Sequence, residues 1–243
     1  MLFLILSIII QAGLIVHVIK TGRNQLWIWV LLLLPGAGSL AYIAVEILPE
    51  LFRSRAAQRT ARGLRRAMDP GAQLRRYEHE SRVTGNVASR QRYAEELTRH
   101  QRYEEAIAQY GQALTGLYAH DPNLMLGLAQ AQFGKGDARA ARATLDELIR
   151  ENPGFRSPLG HLLYARALAA EGNVAKALEE YRVLAPSYPG AEASVRYAQL
   201  LDAEGRHAEA QQVARELLEQ ARIAPGHYRR AQREWLDAAQ KLL

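Results

Sequence analysis

The sequence predicts an all-α protein: an N-terminal transmembrane helical hairpin, then an α-solenoid of about four helix pairs closed by a C-terminal capping helix. Three observations predict it. Two apolar runs occupy the first fifty residues. Small residues then recur in pairs, each pair 33 to 36 residues after the last. Between and after the pairs stand glycines and prolines, the residues that end helices.

The first run, "LFLILSIIIQAGLIVHVI" (residues 2–19), carries no Asp, Glu, Lys or Arg. As a helix it reaches ~27 Å, about one bilayer core. The second, "LWIWVLLLLPGAGSLAYIAVEIL" (residues 26–48), follows after the short link "KTGRNQ". Two spans joined so tightly make a hairpin. Trp27 and Trp29 suit the interface at its tip. Pro35, Gly36 and Gly38 should kink the second span. A cleaved leader would want a basic start and a small-residue cleavage site, and the basic start is missing. His17 and Glu46 are expected near opposite membrane faces, each reaching to its nearer interface. Cations flanking the spans put both termini in the cytoplasm, in a bacterial inner membrane.

The stretch "HVIKTGRNQLWIWVLLLLPGAGSLAYIAVE" (His17–Glu46) also resembles the N-terminal hairpin of cardiolipin synthases and related phospholipase D-type proteins. The shared features are a His late in span one, an Arg in the tip, a Trp opening span two and a Pro-x-x-Gly within it. That family's catalytic signature, His-x-Lys-(x)4-Asp, does not occur in the chain. The resemblance therefore implies an anchor without the lipid-synthase chemistry.

Residues 51–85 form a basic connector. The chain has 243 residues and a net charge of +6. Residues 51–82 hold nine arginines against three acids, so the whole excess lies there, while residues 1–50 and 83–243 are each neutral. A nucleic-acid binder would carry this charge on a folded face, so no nucleic-acid partner is expected. The segment reads as a helix ending at Asp69-Pro70-Gly71. Arg55, Arg59, Arg62 and Arg66 fall on one face of it. Beside a membrane such a stripe attracts anionic lipid, or it serves only to set topology.

The repeats follow. A small residue stands at Ala94, Ala129, Ala165 and Ala198, and twelve residues after each comes Ala106, Ala141, Ala177 or Ala210. Gln101, Gly136, Gly172 and Gly205 lie between the members. Tyr110, Leu145, Tyr181 and Ala214 stand four residues beyond the second, and Pro153 and Pro189 close the middle units. Antiparallel helices approach closely only where side chains are small, and Gly at the turn accepts a positive φ. One pair cannot bury its apolar face alone, so pairs must stack. The units are about 87–121, 122–155, 158–190 and 191–224, and residues 225–243 read as one capping helix. Its Tyr228, Ala231, Trp235, Ala238 and Leu242 share a face.

This period and these residues resemble the tetratricopeptide repeat. The resemblance covers roughly 140 residues and is strongest in the middle two units. It implies a concave groove, lined by the first helix of each unit, that binds peptides or domains. The corresponding positions here are Gln91, Glu95 and Thr98, then Asn123, Leu126 and Gln130, then Leu162 and Arg166, and last Val195 and Gln199. The family's carboxylate-clamp subtype uses Lys and Asn in its first unit. Gln91 and Glu95 stand there instead, which disfavours chaperone-tail binding.

Catalysis is not expected. The seven histidines show no metal-ligand spacing, and "FGKGD" (Phe133–Asp137) lacks the Gly-Lys-Ser/Thr of a phosphate loop. The chain has no cysteine, so thiolate chemistry is excluded. No metal or cofactor is expected. The leading expectation is a membrane-anchored adaptor that binds a protein partner at the cytoplasmic face. The alternative is a protein that handles anionic phospholipid through the hairpin and the Arg stripe. A periplasmic assembly factor would need the hairpin inverted.

Overall fold

Eight alanines set the architecture of the C-terminal unit. Ala94, Ala106, Ala129, Ala141, Ala165, Ala177, Ala198 and Ala210 are each 0% exposed, so the register read from the sequence is the register of the core. The computed structural model describes residues 2–21, 24, 26–34, 36–47, 69 and 71–243. Arg55, Arg59, Arg62 and Arg66, and the helix expected around them, lie outside the described residues. Among the described residues every regular element is helical. The chain divides into two units, Met1–Ala72 and Gln73–Leu243.

In the second unit, α4 (Ala72–Thr84) precedes the pairs α5 (Val87–Arg99) and α6 (Tyr103–Ala113), α7 (Pro122–Lys135) and α8 (Ala138–Glu151), α9 (Pro158–Ala170) and α10 (Val174–Leu184), and α11 (Glu192–Ala203) and α12 (His207–Ile223). Side chains start several of these helices. Asn86 accepts from the Ser89 N–H, Asp121 from Asn123 and Leu124, Asp137 from Ala140, and Ser157 from Gly160. Each such cap is worth ~1 kcal/mol. The turn inside each of the four pairs is left-handed, with φ of 60° at Gln101, 94° at Gly136, 80° at Gly172 and 75° at Gly205.

Adjacent units join through rings and ion pairs. Tyr110 and Leu124 share one core cluster, and Leu145, Leu162 and Tyr181 share the next. Arg142 on α8 reaches Glu171 past the end of α9 at 2.8 Å. The Tyr164 hydroxyl donates to Asp146 at 2.9 Å. Helix α4 lies within the stretch read as connector, yet its Leu74 enters the first cluster beside Tyr93 and Leu97.

The cap is two helices, not the one expected: α13 (Gly226–Ala231) and α14 (Arg233–Gln240). The break at Gln232 lets its side-chain oxygen accept from the Ala191 N–H at 3.0 Å. Trp235, Ala238 and Leu242 cover Ala191, Val195 and Leu217 as expected of a cap. Ala231, expected on the same face, is exposed because the break turns it away.

The first unit departs from the expected hairpin. Helix α1 (Leu2–Thr21), with side chains described from Gln11, is followed by α2 (Leu26–Leu33), α3 (Ala37–Tyr42) and a π-helical turn (Ile43–Ile47). The expected second span is not one kinked helix. It reverses at Leu34–Gly36, and the Trp27 indole N–H donates to Glu46 Oε1 at 3.1 Å. A continuous helix would hold those residues ~28 Å apart. Gly36 takes φ 90° to make the reversal. Gly38 then lies so close to α2 that a Cβ there would stand 2.5 Å from the Val30 carbonyl oxygen. Tyr42, fully buried, packs its ring 5.3 Å from that of Trp27, and its hydroxyl lies 3.0 Å from His17 Nδ1. The expectation that His17 and Glu46 sit at opposite faces is thereby corrected: both are engaged at the same end of the fold-back. Among the described residues no helix is long and apolar enough to cross a membrane.

Candidate peptide-binding groove

The first helices of the units, α5, α7, α9 and α11, present their residues in a repeating order, so burial can be compared position by position. One residue past each core alanine stand Glu95, Gln130, Arg166 and Gln199. The first three are half-buried and Gln199 is exposed. Three residues before each core alanine stand Gln91, Leu126, Leu162 and Val195. Gln91 and Leu126 are half-buried, whereas Leu162 and Val195 are only 1% exposed. This second row sinks into the core along the stack. Val195 lies in the cluster beneath Trp235 and has no surface to offer a partner.

Four of the expected residues come together. Thr98, Gln130, Leu162 and Arg166, with Tyr103, Phe133, Leu159 and Leu163, line a cavity of about 260 Å³ between α5, α7 and α9. The Thr98 hydroxyl donates to the Ala94 carbonyl at 2.9 Å. Gln91 donates to Glu95 at 3.0 Å, which ties these two to each other. Asn123 is exposed at the start of α7, its N–H held by Asp121. Asn123, Glu95, Gln91 and Gln199 lie outside the cavity lining.

Aromatic rings add to the groove what the sequence did not reveal. The Arg166 guanidinium carbon sits 4.6 Å from the centroid of the Phe133 ring, and that of Arg196 sits 5.0 Å from Trp235. Burial, then the neighbouring Arg196, pushes the Arg166 guanidinium below its ordinary pKa. Phe133 and Tyr103 belong to helix ends, and Trp235 comes from the cap. No spacing within one unit links them to the groove. Arg196 shows only an i, i+4 partner, Glu192, which marks any helix surface.

A larger cleft, about 550 Å³, opens on the other side, between α8, α10 and the 152–157 loop. Its polar groups already pair with one another: His161 Nε2 lies 2.7 Å from Glu180 and Tyr164 donates to Asp146. Burial, with that hydrogen bond, pushes the Tyr164 phenol up to about 12. Size alone does not make this cleft the site, because these four polar groups are taken up by the fold. Among the described residues no cluster of three or more His, Cys, Asp or Glu could hold a metal ion.

Comparison with known proteins agrees with the repeat reading. The tetratricopeptide repeat model matches residues 97–161. A solved tetratricopeptide protein of Thermus thermophilus, TTC0263, is similar at 19% identity and a TM-score of 0.54, covering 75% of this chain and 96% of that one. MamA is similar at 18% identity and a TM-score of 0.53, covering 61% and 86%. YrrB, described as a tetratricopeptide protein with an unusual peptide-binding site, is similar at 18% identity and 0.50, covering 68% and 91%. No curated protein matches the sequence. No catalytic family is indicated, and nothing in these matches supports the phospholipase D-type resemblance of residues 17–46. Residues 97–161 thus match the tetratricopeptide repeat model, within a stack of helix pairs that has the fold of solved tetratricopeptide proteins.

Proposed function

We propose that the protein is a membrane-tethered adaptor whose helix pairs hold an extended segment of a protein partner. One observation carries this reading: three successive first helices place Thr98, Gln130, Leu162 and Arg166 around a single open cavity. It joins an apolar floor to an amide and a guanidinium, the groups that hold a peptide's side chains and its backbone. The peptide-binding site named for YrrB lends support by analogy of fold. Affinity purification of the full chain from mild detergent tests it. A protein should co-purify with the wild type and be lost from Gln130→Ala/Arg166→Ala, while both forms sediment with membranes. Retention of the same partner by the double variant contradicts the groove reading. Co-purification of anionic phospholipid alone favours the lipid-handling alternative.

The tether rests on the two apolar runs of the first fifty residues. The reversal at Leu34–Gly36 supports a topology different from a two-span hairpin. On this reading the crossing segment is the apolar run of residues 2–19, whose side chains are described only from Gln11 onward, and residues 26–47 dip in ~12–15 Å and return. Such a dip is tolerable because its backbone is satisfied within the protein: Leu34 N–H bonds Val30, Gly38 bonds Leu34, and Leu40 bonds Gly36. The chain then leaves on the side of the tip. The positive-inside rule assigns the cationic flanks of the apolar runs, Lys20 and Arg23 and the arginines of 51–82, to the cytoplasmic side. The start of the 2–19 run then faces away. Reporters at both ends test this. An outside N-terminus with an inside C-terminus is expected, and both ends inside would mean a full second span. Release of the chain by alkaline carbonate would remove the tether altogether.

A further inference from the structure

Glu192, at the start of α11, faces two arginines. Arg196 Nε lies 2.8 Å from its Oε1, and Arg166 Nη1 lies 4.0 Å from the same oxygen. One carboxylate therefore serves two guanidinium groups, and only Arg196 is bonded to it closely. Both arginines are largely covered, with side-chain exposures of 32% for Arg166 and 29% for Arg196. Each guanidinium carbon sits over an aromatic ring, Phe133 for Arg166 and Trp235 for Arg196. Arg196 gives its Nε to Glu192, whereas Arg166 has no close bond to that carboxylate. A guanidinium held this way offers a rigid fork that matches one planar carboxylate.

The surroundings favour an anion there. Arg166 is destabilised as a cation by its burial and by Arg196, so a second carboxylate would relieve an existing cost. Besides Arg196 and Glu192, the titratable groups that act on Arg166 are the phenols of Tyr181 and Tyr188. The acid at the far end of the groove, Glu95, is held by Gln91. The groove is thus negative at its first unit and positive at its third and fourth.

We infer that Arg166 and Arg196 form a receptor for an Asp or Glu side chain of the bound protein segment, with an apolar side chain of the same segment seated beside it in the cavity floored by Leu162 and Leu163. This rests on the groove reading above and specifies its ligand. A lipid headgroup or a nucleic acid fits less well, because Arg166 lines a cavity of about 260 Å³, which admits one side chain at a time.

The test uses the full-length chain in mild detergent, panned against a random heptapeptide display library. Recovered peptides should share an Asp or Glu next to an apolar residue. Replacing that acid by its amide should weaken binding about tenfold, as loss of a charge-assisted bidentate pair does. Arg166→Gln/Arg196→Gln should erase the preference for acid over amide. Glu192→Gln frees both guanidiniums and should tighten binding of the acidic peptide, an outcome that a misfolded variant cannot give. The inference is overturned if recovered peptides lack an acid, if the amide binds equally well, or if Glu192→Gln weakens the acidic peptide. Peptides that lose binding on Gln130→Arg yet carry no acid would leave the groove standing and remove only this assignment. Recovery of no peptide sensitive to Gln130→Arg would count against both.

Discussion

The Tyr110 ring of α6 lies directly on the backbone of Gly127 in α7: a Cβ at Gly127 would stand 2.5 Å from both the ring Cζ and the hydroxyl oxygen. This contact joins the first unit to the second, and Tyr110 is buried. Gly127→Ala should therefore destabilise the repeats by ~1–3 kcal/mol through overpacking, despite the ~1 kcal/mol that Ala gains over Gly in a helix. Gly134→Ala faces Tyr103 as closely, but that ring is partly exposed and can swing aside. Urea unfolding midpoints should fall for the first variant and fall less for the second. Equal midpoints for Gly127→Ala and the wild type would contradict the close approach.

At the first inter-helix turn Gln101 adopts φ 60°, the only non-glycine residue with positive φ among those described. Its counterparts Gly136, Gly172 and Gly205 carry no Cβ penalty there. Gln101→Gly should raise stability by ~0.5–1 kcal/mol, net of the entropy that Gly adds to the unfolded chain. Gly172→Ala should lower it by about 1 kcal/mol or more, since Ala does not readily adopt φ 80°. Denaturant titration of the two variants should show shifts of opposite sign.

The chain has no native cysteine, so the fold-back can be tested by a single engineered pair. Trp27 and Glu46 touch through their side chains at 3.1 Å. Trp27→Cys/Glu46→Cys should form an intramolecular crosslink with a short bifunctional thiol reagent in membranes, read by mass. A straight span would hold these positions ~28 Å apart and give none.

Tyr181 is buried between α9 and α11, and burial is the chief cause that pushes its phenol up to about 12. The neutral phenol is the form the fold favours, and the unfolded chain ionises it near 10. Its contribution is therefore complete below about pH 10 and drains away as the pH rises toward about 12. Tyr181→Phe should flatten the alkaline fall in stability by roughly 1–2 kcal/mol between pH 10 and 12. Urea midpoints of both proteins at pH 9 and 11 check this; parallel losses would contradict it.

The repeat core was legible because one physical requirement recurs four times. Two helices must nestle, so Ala94 through Ala210 had to be small wherever the pairs meet. Gln101 announced itself by standing where the register demands a left-handed residue. The reversal at Leu34–Gly36 was not legible. A Pro-Gly step inside an apolar run permits a kink or a turn-back, and a run that is apolar on every side has no face to choose between them. Helix α4 was hidden because it offers the core little beyond Leu74 and sits among arginines. In the groove, the row one past each alanine follows from spacing alone, and it is half-buried at Glu95, Gln130 and Arg166 and exposed at Gln199. The burial of the row three before was not legible, because whether Leu162 and Val195 face out depends on what the next unit and the cap lay over them. Arg196 and its ring, Trp235, meet across some forty residues, a distance at which no local pattern speaks.

The claim at the centre of this account is that a partner lies along the first helices, over Gln130. A photo-crosslinking residue placed at Gln130 in the full chain, in cells, measures this most directly against the same residue at Arg182, exposed on the second helix of the third unit. The account predicts one discrete protein adduct from Gln130, abolished by Arg166→Ala, and none from Arg182. An adduct from Arg182 with none from Gln130 would contradict it.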